Sequence, residues 1–149
     1  MPDSSSQRIR PIAICVFRSD DHLFVLEGYD EFKPETFYRP LGGGIEFWET
    51  GRDAVTREIR EEIGTEVDGL KAVGSLENIF VYGGERLHEI VLTFEGRFVD
   101  SAMYNLNRVI TGNEEGTPFK ALWVPIAAFR SGDRILYPTG LLELLDKPA

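Results

Sequence analysis

The stretch from Gly43 to Thr65, GGIEFWETGRDAVTREIREEIGT, constrains the fold more than any other part of the chain. It sets Glu58, Glu61 and Glu62 at spacings of three and four residues, which on a helix makes them neighbours on one face. At about 100° per residue counted from Ala54, they fall near 40°, 340° and 80°, and Val55, Ile59 and Ile63 fall at about 100° to 180°. The acidic stripe therefore runs beside the apolar one, at the edge of whatever the helix packs against. Thr50 followed three residues later by Asp53 is a capping signature that predicts a helix start near Gly51, and Gly64 is suited to end it.

Such a stripe is costly. Glu58 and Glu62 are like charges at i and i+4, and partial burial raises the cost further unless a cation is present. Hard divalent cations such as Mg²⁺ or Mn²⁺ prefer oxygen donors of this kind. The alternative is a solvated helix in which Arg57 and Arg60 pair with the glutamates, Arg57 with Glu61 at i, i+4. The residues before the helix favour the first reading. Gly42, Gly43 and Gly44 let the backbone approach an ion or a phosphate closely.

This stretch resembles the Nudix box, G-x5-E-x7-R-E-U-x-E-E-x-G-U, with U a bulky aliphatic residue. Gly43, Glu49, Arg57, Glu58, Ile59, Glu61, Glu62 and Gly64 stand at the required spacings, eight of nine defined positions. Thr65 departs from the pattern where Ile, Leu or Val is usual, and Trp48 stands where many members have Gly. The resemblance implies a single α/β domain over residues 1–149, an α/β/α sandwich around a mixed β-sheet. It implies Mg²⁺, with Mn²⁺ able to substitute, held by Glu58 and Glu62. Glu61 is then a ligand or a water-orienting group, and the Gly43 carbonyl completes the shell. Glu49 and Arg57 pair as a brace between loop and helix. The catalytic glutamates are Glu58, Glu61 and Glu62, with the general base left open among Glu58, Glu61 and a glutamate outside the box.

The chain order supplies the remainder. At 149 residues and 42% hydrophobic, it is long enough to bury a real core. A net charge of −9 argues against non-specific nucleic-acid or anionic-membrane binding. The lone cysteine, Cys15, lies inside an apolar run and suggests a reducing, cytoplasmic compartment. Met1 to Gln7 is polar and reads as frayed. Ile12 to Phe17, too short for a secretory signal or a membrane span, reads as a strand buried on both faces. Ser19 to His22 is a turn that returns the chain through Leu23 to Leu26 as the second strand of a hairpin.

Arg39 has two readings, a substrate-phosphate contact or a strand-edge salt bridge. Phe47 and Trp48 either stack on a base or cap the core. Leu70 to Tyr82 reads as a bent or bulged strand, Gly83-Gly84 as a turn, and Leu87 to Val99 as a strand with Ile90, Leu92 and Phe94 on one face. Glu89 and His88 are candidates for pointing into a cleft. Ser101 to Phe119 is polar and reads as a loop with its tip at Asn113 to Gly116, followed by a strand at Ala121 to Pro125. A short helix begins at Ile126 to Arg130, and a final one spans Pro138 to Lys147. The loop resembles the family region that often adds an acidic residue, with Glu115 or Glu114 as the further metal candidate; a solvated acidic loop is the other reading.

The implied reaction is metal-dependent hydrolysis of a nucleoside diphosphate joined to another group, with a small-molecule nucleotide as substrate. Tyr82, 17 residues after Thr65, resembles the tyrosine spacing of diadenosine-polyphosphate-hydrolysing members, and a packing role is the alternative. Dinucleotide polyphosphates, nucleoside triphosphates, ADP-ribose and nucleotide sugars all stay open. Many members of the family pair, so the resemblance also implies a homodimer. A second class of function is a Nudix-fold module that binds or senses a nucleotide without turnover, which loss of box carboxylates would favour; here all are present.

Overall fold

A run that is apolar at every position must bury both faces, and strand β1 (Ile9–Val16) does so from Ile12 to Val16. The computed structural model describes residues 7–148. Of the segment read as frayed only Gln7 falls among them. Ala13 and Cys15 of β1, with Phe17 beyond it, pack in one cluster with Ala54, Val55 and Ile59 of helix α1 (Gly51–Ile63). Ile12, Ile14 and Val16 pack in a second cluster with Phe129 of α2 (Ile126–Ser131) and Leu141 of α3 (Leu141–Asp146). The result is helix, sheet and helix in three layers. Cys15 is one of the small core residues, and burial pushes its thiol pKa up.

The mixed α/β class holds, and within it the strands divide between two sheets. In the first, β1 lies between β5 (Leu41–Gly44) and β7 (Glu85–Phe98), and β6 (Val67–Tyr82) forms the outer edge. Among the described residues of this sheet, only the β1–β7 pair is parallel. In the second, antiparallel sheet, β3 (His22–Asp30) pairs with β9 (Thr117–Pro125), which pairs with β8 (Val109–Glu114). The short β2 (Arg18–Ser19) and β4 (Glu35–Arg39) share the other edge of β3. The register of β6 shifts twice, at Asp68/Lys71 and Ala72/Gly74, which is the bulged strand expected there. Among the described residues no helix is long and apolar enough to cross a membrane.

Three expectations fail. The hairpin between Ile12–Phe17 and Leu23–Leu26 shrinks to the β2–β3 pairing of Arg18 and Ser19 with Leu23 and His22, because β1 and β3 go to different sheets. Ser101–Phe119 is not a loop. It contains a 3₁₀ turn at Ser101–Tyr104 and the strand β8, whose hairpin with β9 turns at Glu115-Gly116. Widely spaced apolar residues explain this: Met103 is buried, and Tyr104, Leu106, Ile110 and Phe119 pack on the α1 cluster. The final helix is also shorter than Pro138–Lys147.

Aromatic packing fastens the two sheets. Phe98, at the end of β7, stacks on Phe17 with ring centroids 3.8 Å apart, and meets Phe24 and Trp123 of the second sheet edge-on at 5.3 and 6.4 Å. Trp123 Nε1 donates to the Met103 carbonyl at 2.8 Å, and Tyr104 Oη accepts the Phe98 N–H at 3.0 Å, so the 3₁₀ turn closes the cluster. Phe98→Ala should therefore cost about 3–5 kcal/mol in urea unfolding. A loss below about 1 kcal/mol would show that the sheets are joined elsewhere.

Candidate active site

The site begins where β5 hands the chain to α1. Gly43 pairs with Ala13 and faces the helix so closely that a Cβ there would lie 2.5 Å from the Glu58 carboxyl carbon. Only glycine leaves room for that carboxylate. Helix α1 starts where expected: Thr50 Oγ1 accepts the Asp53 N–H at 3.1 Å, and Gly64 ends it at φ 65° with its N–H on the Arg60 carbonyl.

Arg57 ties the loop to the helix. Its Nε and Nη2 donate to Glu49 Oε2 and Oε1 at 2.8 and 2.9 Å, a bidentate pair, and Nη2 also reaches the Gly44 carbonyl at 3.1 Å. Nη1 donates to Glu58 Oε1 at 3.0 Å and Glu61 Oε2 at 3.4 Å. The Arg57 hydrogen bonds, with the Glu46 N–H, hold the Glu49 carboxyl down to about 2, and Glu49 in turn raises the Arg57 pKa.

Glu62 is different. Its side chain is buried, at 4% residue exposure, and among the described residues neither carboxylate oxygen receives a hydrogen bond from an N–H or hydroxyl donor, its polar neighbour being the Glu58 carboxyl. Burial, then the charge of Glu114 and the carboxyl of Glu58, push its pKa up to about 9, against a weaker pull from Arg39. Glu114 arrives at the end of β8, which packs so tightly on α1 that a Cβ at Gly112 would come within 2.9 Å of the Glu62 carbonyl. Arg39 Nη2 pairs with Glu114 Oε2 at 3.2 Å.

These donors fit a hard divalent cation in kind. They are carboxylates, one of them buried and unpartnered, beside a glycine that leaves room for another. Among the described residues no three carboxylates are closed into a ready cage. Arg57 draws Glu58 and Glu61 to itself, and Arg39 draws Glu114.

A cleft of ≈ 1270 Å³ runs from these glutamates across the gap between the sheets. Arg39 lines it, as do Glu58, Glu61, Glu62 and Glu114. Tyr82 lines the other end, meeting Phe37 edge-on at 5.7 Å. Glu115 is also on the rim, exposed and at φ 49° in the hairpin turn, while Glu114 is the one whose charge acts on Glu62. Trp48 stands apart. It is 94% exposed at φ 72° and does not line the cleft, nor does it cap the core. That positive φ is a backbone conformation that favours glycine. Glu89 faces the cleft, 3.9 Å from Arg10 Nη1, and His88 does not line it. Arg10, Asp30, Phe37 and Tyr137 line the cleft without any local sequence signal; Arg10 is brought there by the pairing of β1 with β7, and Tyr137 by its N–H bond to the Tyr38 carbonyl.

The NUDIX domain model matches residues 7–139. The fold is similar to that of a NUDIX hydrolase from Nitrosomonas europaea, at 15% identity and TM-score 0.63 over 93% of this chain and 87% of that one. A MutT NUDIX hydrolase from Burkholderia pseudomallei is similar at 17% identity and TM-score 0.57, over 96% of this chain and 100% of that one. The E. coli ORF135 protein is similar at 17% identity and TM-score 0.54, over 97% and 91%. No curated protein matches significantly in sequence.

The state of Glu62 has a measurable consequence. Its folded pKa of about 9 lies above the ordinary 4.5, so the folded state holds the proton more tightly. Its contribution to stability is full below about pH 4.5 and is lost as pH rises toward 9. Glu62→Gln, which keeps the volume and removes the charge, should therefore raise Tm by ~3 °C or more at about pH 8.5 in a chelating buffer, with the difference vanishing near pH 4. A Tm difference independent of pH would contradict the buried, unpartnered carboxylate.

Proposed function

The chain belongs to the Nudix family, and on that premise we propose that it cleaves the diphosphate of a nucleoside diphosphate joined to another group, with a divalent cation, Mg²⁺ or Mn²⁺. Hydrolysis of pyrophosphate bonds is the activity of the family to which the chain belongs. The observation that carries the finer reading is Glu62, a buried carboxylate without a partner at one end of a cleft whose other end is aromatic.

The residues that would hold the cation are Glu58, Glu61 and Glu62, with the Gly43 carbonyl and either Glu114 or Glu115. A bound divalent cation neutralises substrate charge, polarises phosphoryl oxygens and lowers the pKa of a coordinated water. The chain's own residues do the rest. Arg57 and Glu49 keep the box loop fixed on α1, so that Glu58 stays seated over Gly43. Arg39, partly exposed on the cleft wall, is suited to a phosphate oxygen, and Arg10 lies further along the same wall. From Arg39, β4 runs back to Glu35, a span of roughly 13 Å at the usual rise per residue. Phe37, two residues along β4 from Arg39, begins the aromatic end, which Tyr82 and Tyr137 extend. Tyr82, half exposed there, offers a face on which a base can stack. Trp48 would reach substrate only by a change in its loop.

The test is phosphate release from dinucleotide polyphosphates, ADP-ribose, nucleotide sugars and nucleoside triphosphates, with Mg²⁺ and Mn²⁺ supplied separately. Turnover of at least one class, dependent on the cation and reduced ~100-fold or more by Glu62→Gln, is the expected result. Turnover that Glu62→Gln leaves intact would refute the site. Nucleotide binding without turnover across the whole set would favour a sensing module over an enzyme.

A further inference from the structure

The aromatic end of the cleft is bounded by two hairpin tips that belong to different sheets. One is the connection between β3 and β4, residues 31–34, and the other is the turn Gly83-Gly84 between β6 and β7. The second tip is a cantilever. Pairing of β7 with β1 stops at His88, opposite Ile9, so among the described residues the hairpin from there to Glu85 has no β1 partner on that side. What reaches it is Asp30.

Asp30 ends β3 and is buried, at 5% exposure. Its Oδ1 accepts the Phe32 N–H at 3.0 Å and the Lys33 N–H at 3.4 Å from its own tip, and the Gly83 N–H at 3.4 Å from the other. Burying this carboxylate is tolerable because amide donors from both sides converge on it. Two further contacts cross the same gap. Tyr82 Oη donates to the Tyr29 carbonyl at 3.4 Å, and the Phe32 ring lies against Gly84, where a Cβ would come within 3.2 Å of it.

The Gly83 N–H belongs to the peptide that joins Gly83 to Tyr82. Holding it fixes the backbone from which the Tyr82 ring projects toward Phe37, itself tilted on Tyr137 at 5.6 Å. We propose that Asp30 is a positioning residue for the base-bearing half of the substrate: by clasping the two tips it sets the width of the aromatic end and holds Tyr82 where a nucleobase stacks. It acts through Tyr82 and the tips, without touching phosphate. This rests on the nucleotide reading given above. Asparagine offers the same acceptor oxygen and should preserve the clasp. Alanine leaves the Phe32, Lys33 and Gly83 amides without their common acceptor and frees the cantilever.

The test is calorimetric titration, in Mg²⁺ buffer, of wild type, Asp30→Ala, Asp30→Asn and Phe32→Ala with two probes, ADP and inorganic pyrophosphate. ADP carries the base, and pyrophosphate engages only the phosphate end. Asp30→Ala should weaken ADP ~10-fold and leave pyrophosphate within ~2-fold, and Asp30→Asn should restore ADP to within ~3-fold of wild type. Phe32→Ala, which removes an exposed ring and keeps Asp30, should weaken ADP in the same direction with pyrophosphate unmoved. Unchanged ADP affinity in Asp30→Ala, or equal losses for both probes, would overturn the proposal. If Asp30→Ala does not fold, Phe32→Ala decides, and unchanged ADP affinity in that variant overturns it. Failure of wild type to bind either probe is a separate result, and it overturns the nucleotide reading on which the proposal stands.

Discussion

Arg57 is bonded at once to Glu49, Glu58, Glu61 and the Gly44 carbonyl, and the arrangement of the site depends on it. The loop after β5 sets Ile45 on the α1 cluster, but Phe47 and Trp48 beyond it are both turned to solvent. A guanidinium with several donors in a fixed fork can hold a carboxylate bidentately and still reach a carbonyl and two further carboxylates. Lysine, a compact point charge, has no such geometry. Through Arg57 the helix fixes the loop, and through Gly43 the loop gives Glu58 its seat.

Beside this paired cluster sits the unpaired carboxylate of Glu62. The loop and the helix it is tied to thus contain two electrostatic regimes. Glu49 is stabilised in its charged form by Arg57, and Glu62 is destabilised in its charged form by burial and by Glu114. Folding accepts that cost because the apolar residues on the same helix, Val55 and Ile59, cannot be buried without carrying Glu62 to the core's edge. A site whose buried carboxylate lacks a protein partner trades stability for function.

The box was legible because its information is local. Helix start, helix end, acidic stripe and brace depend on residues a few positions apart, and each stands where spacing put it. The sequence leaves the further acidic residue open among Glu114, Glu115 and Glu89, and between the first two a one-residue shift in a hairpin reverses which side chain faces the site. The segment before it read as a loop because its apolar residues, Met103, Leu106 and Ile110, are too sparse to show a period, although each meets the α1 cluster. Trp48, beside the acidic stripe, reads as stacking on a base or capping the core, and at φ 72° and 94% exposed it does neither in this structure. Asp30 gave no signal at all. Its role arises where tips of two sheets meet, and a hydrogen bond between residues 53 positions apart, from the Gly83 N–H to Asp30, is invisible in local sequence.

The most direct test of the account is calorimetric titration of Mn²⁺ into wild type and Glu62→Gln at about pH 8, in two buffers of different ionisation enthalpy. A carboxyl with a pKa near 9 is mostly protonated there and must lose its proton to take a cation. Binding by wild type should release up to about one proton, and Glu62→Gln should bind more weakly and release none from this group. Cation binding with the same proton release in both proteins, or no binding by wild type, would contradict the claim that Glu62 is the carboxylate a cation completes.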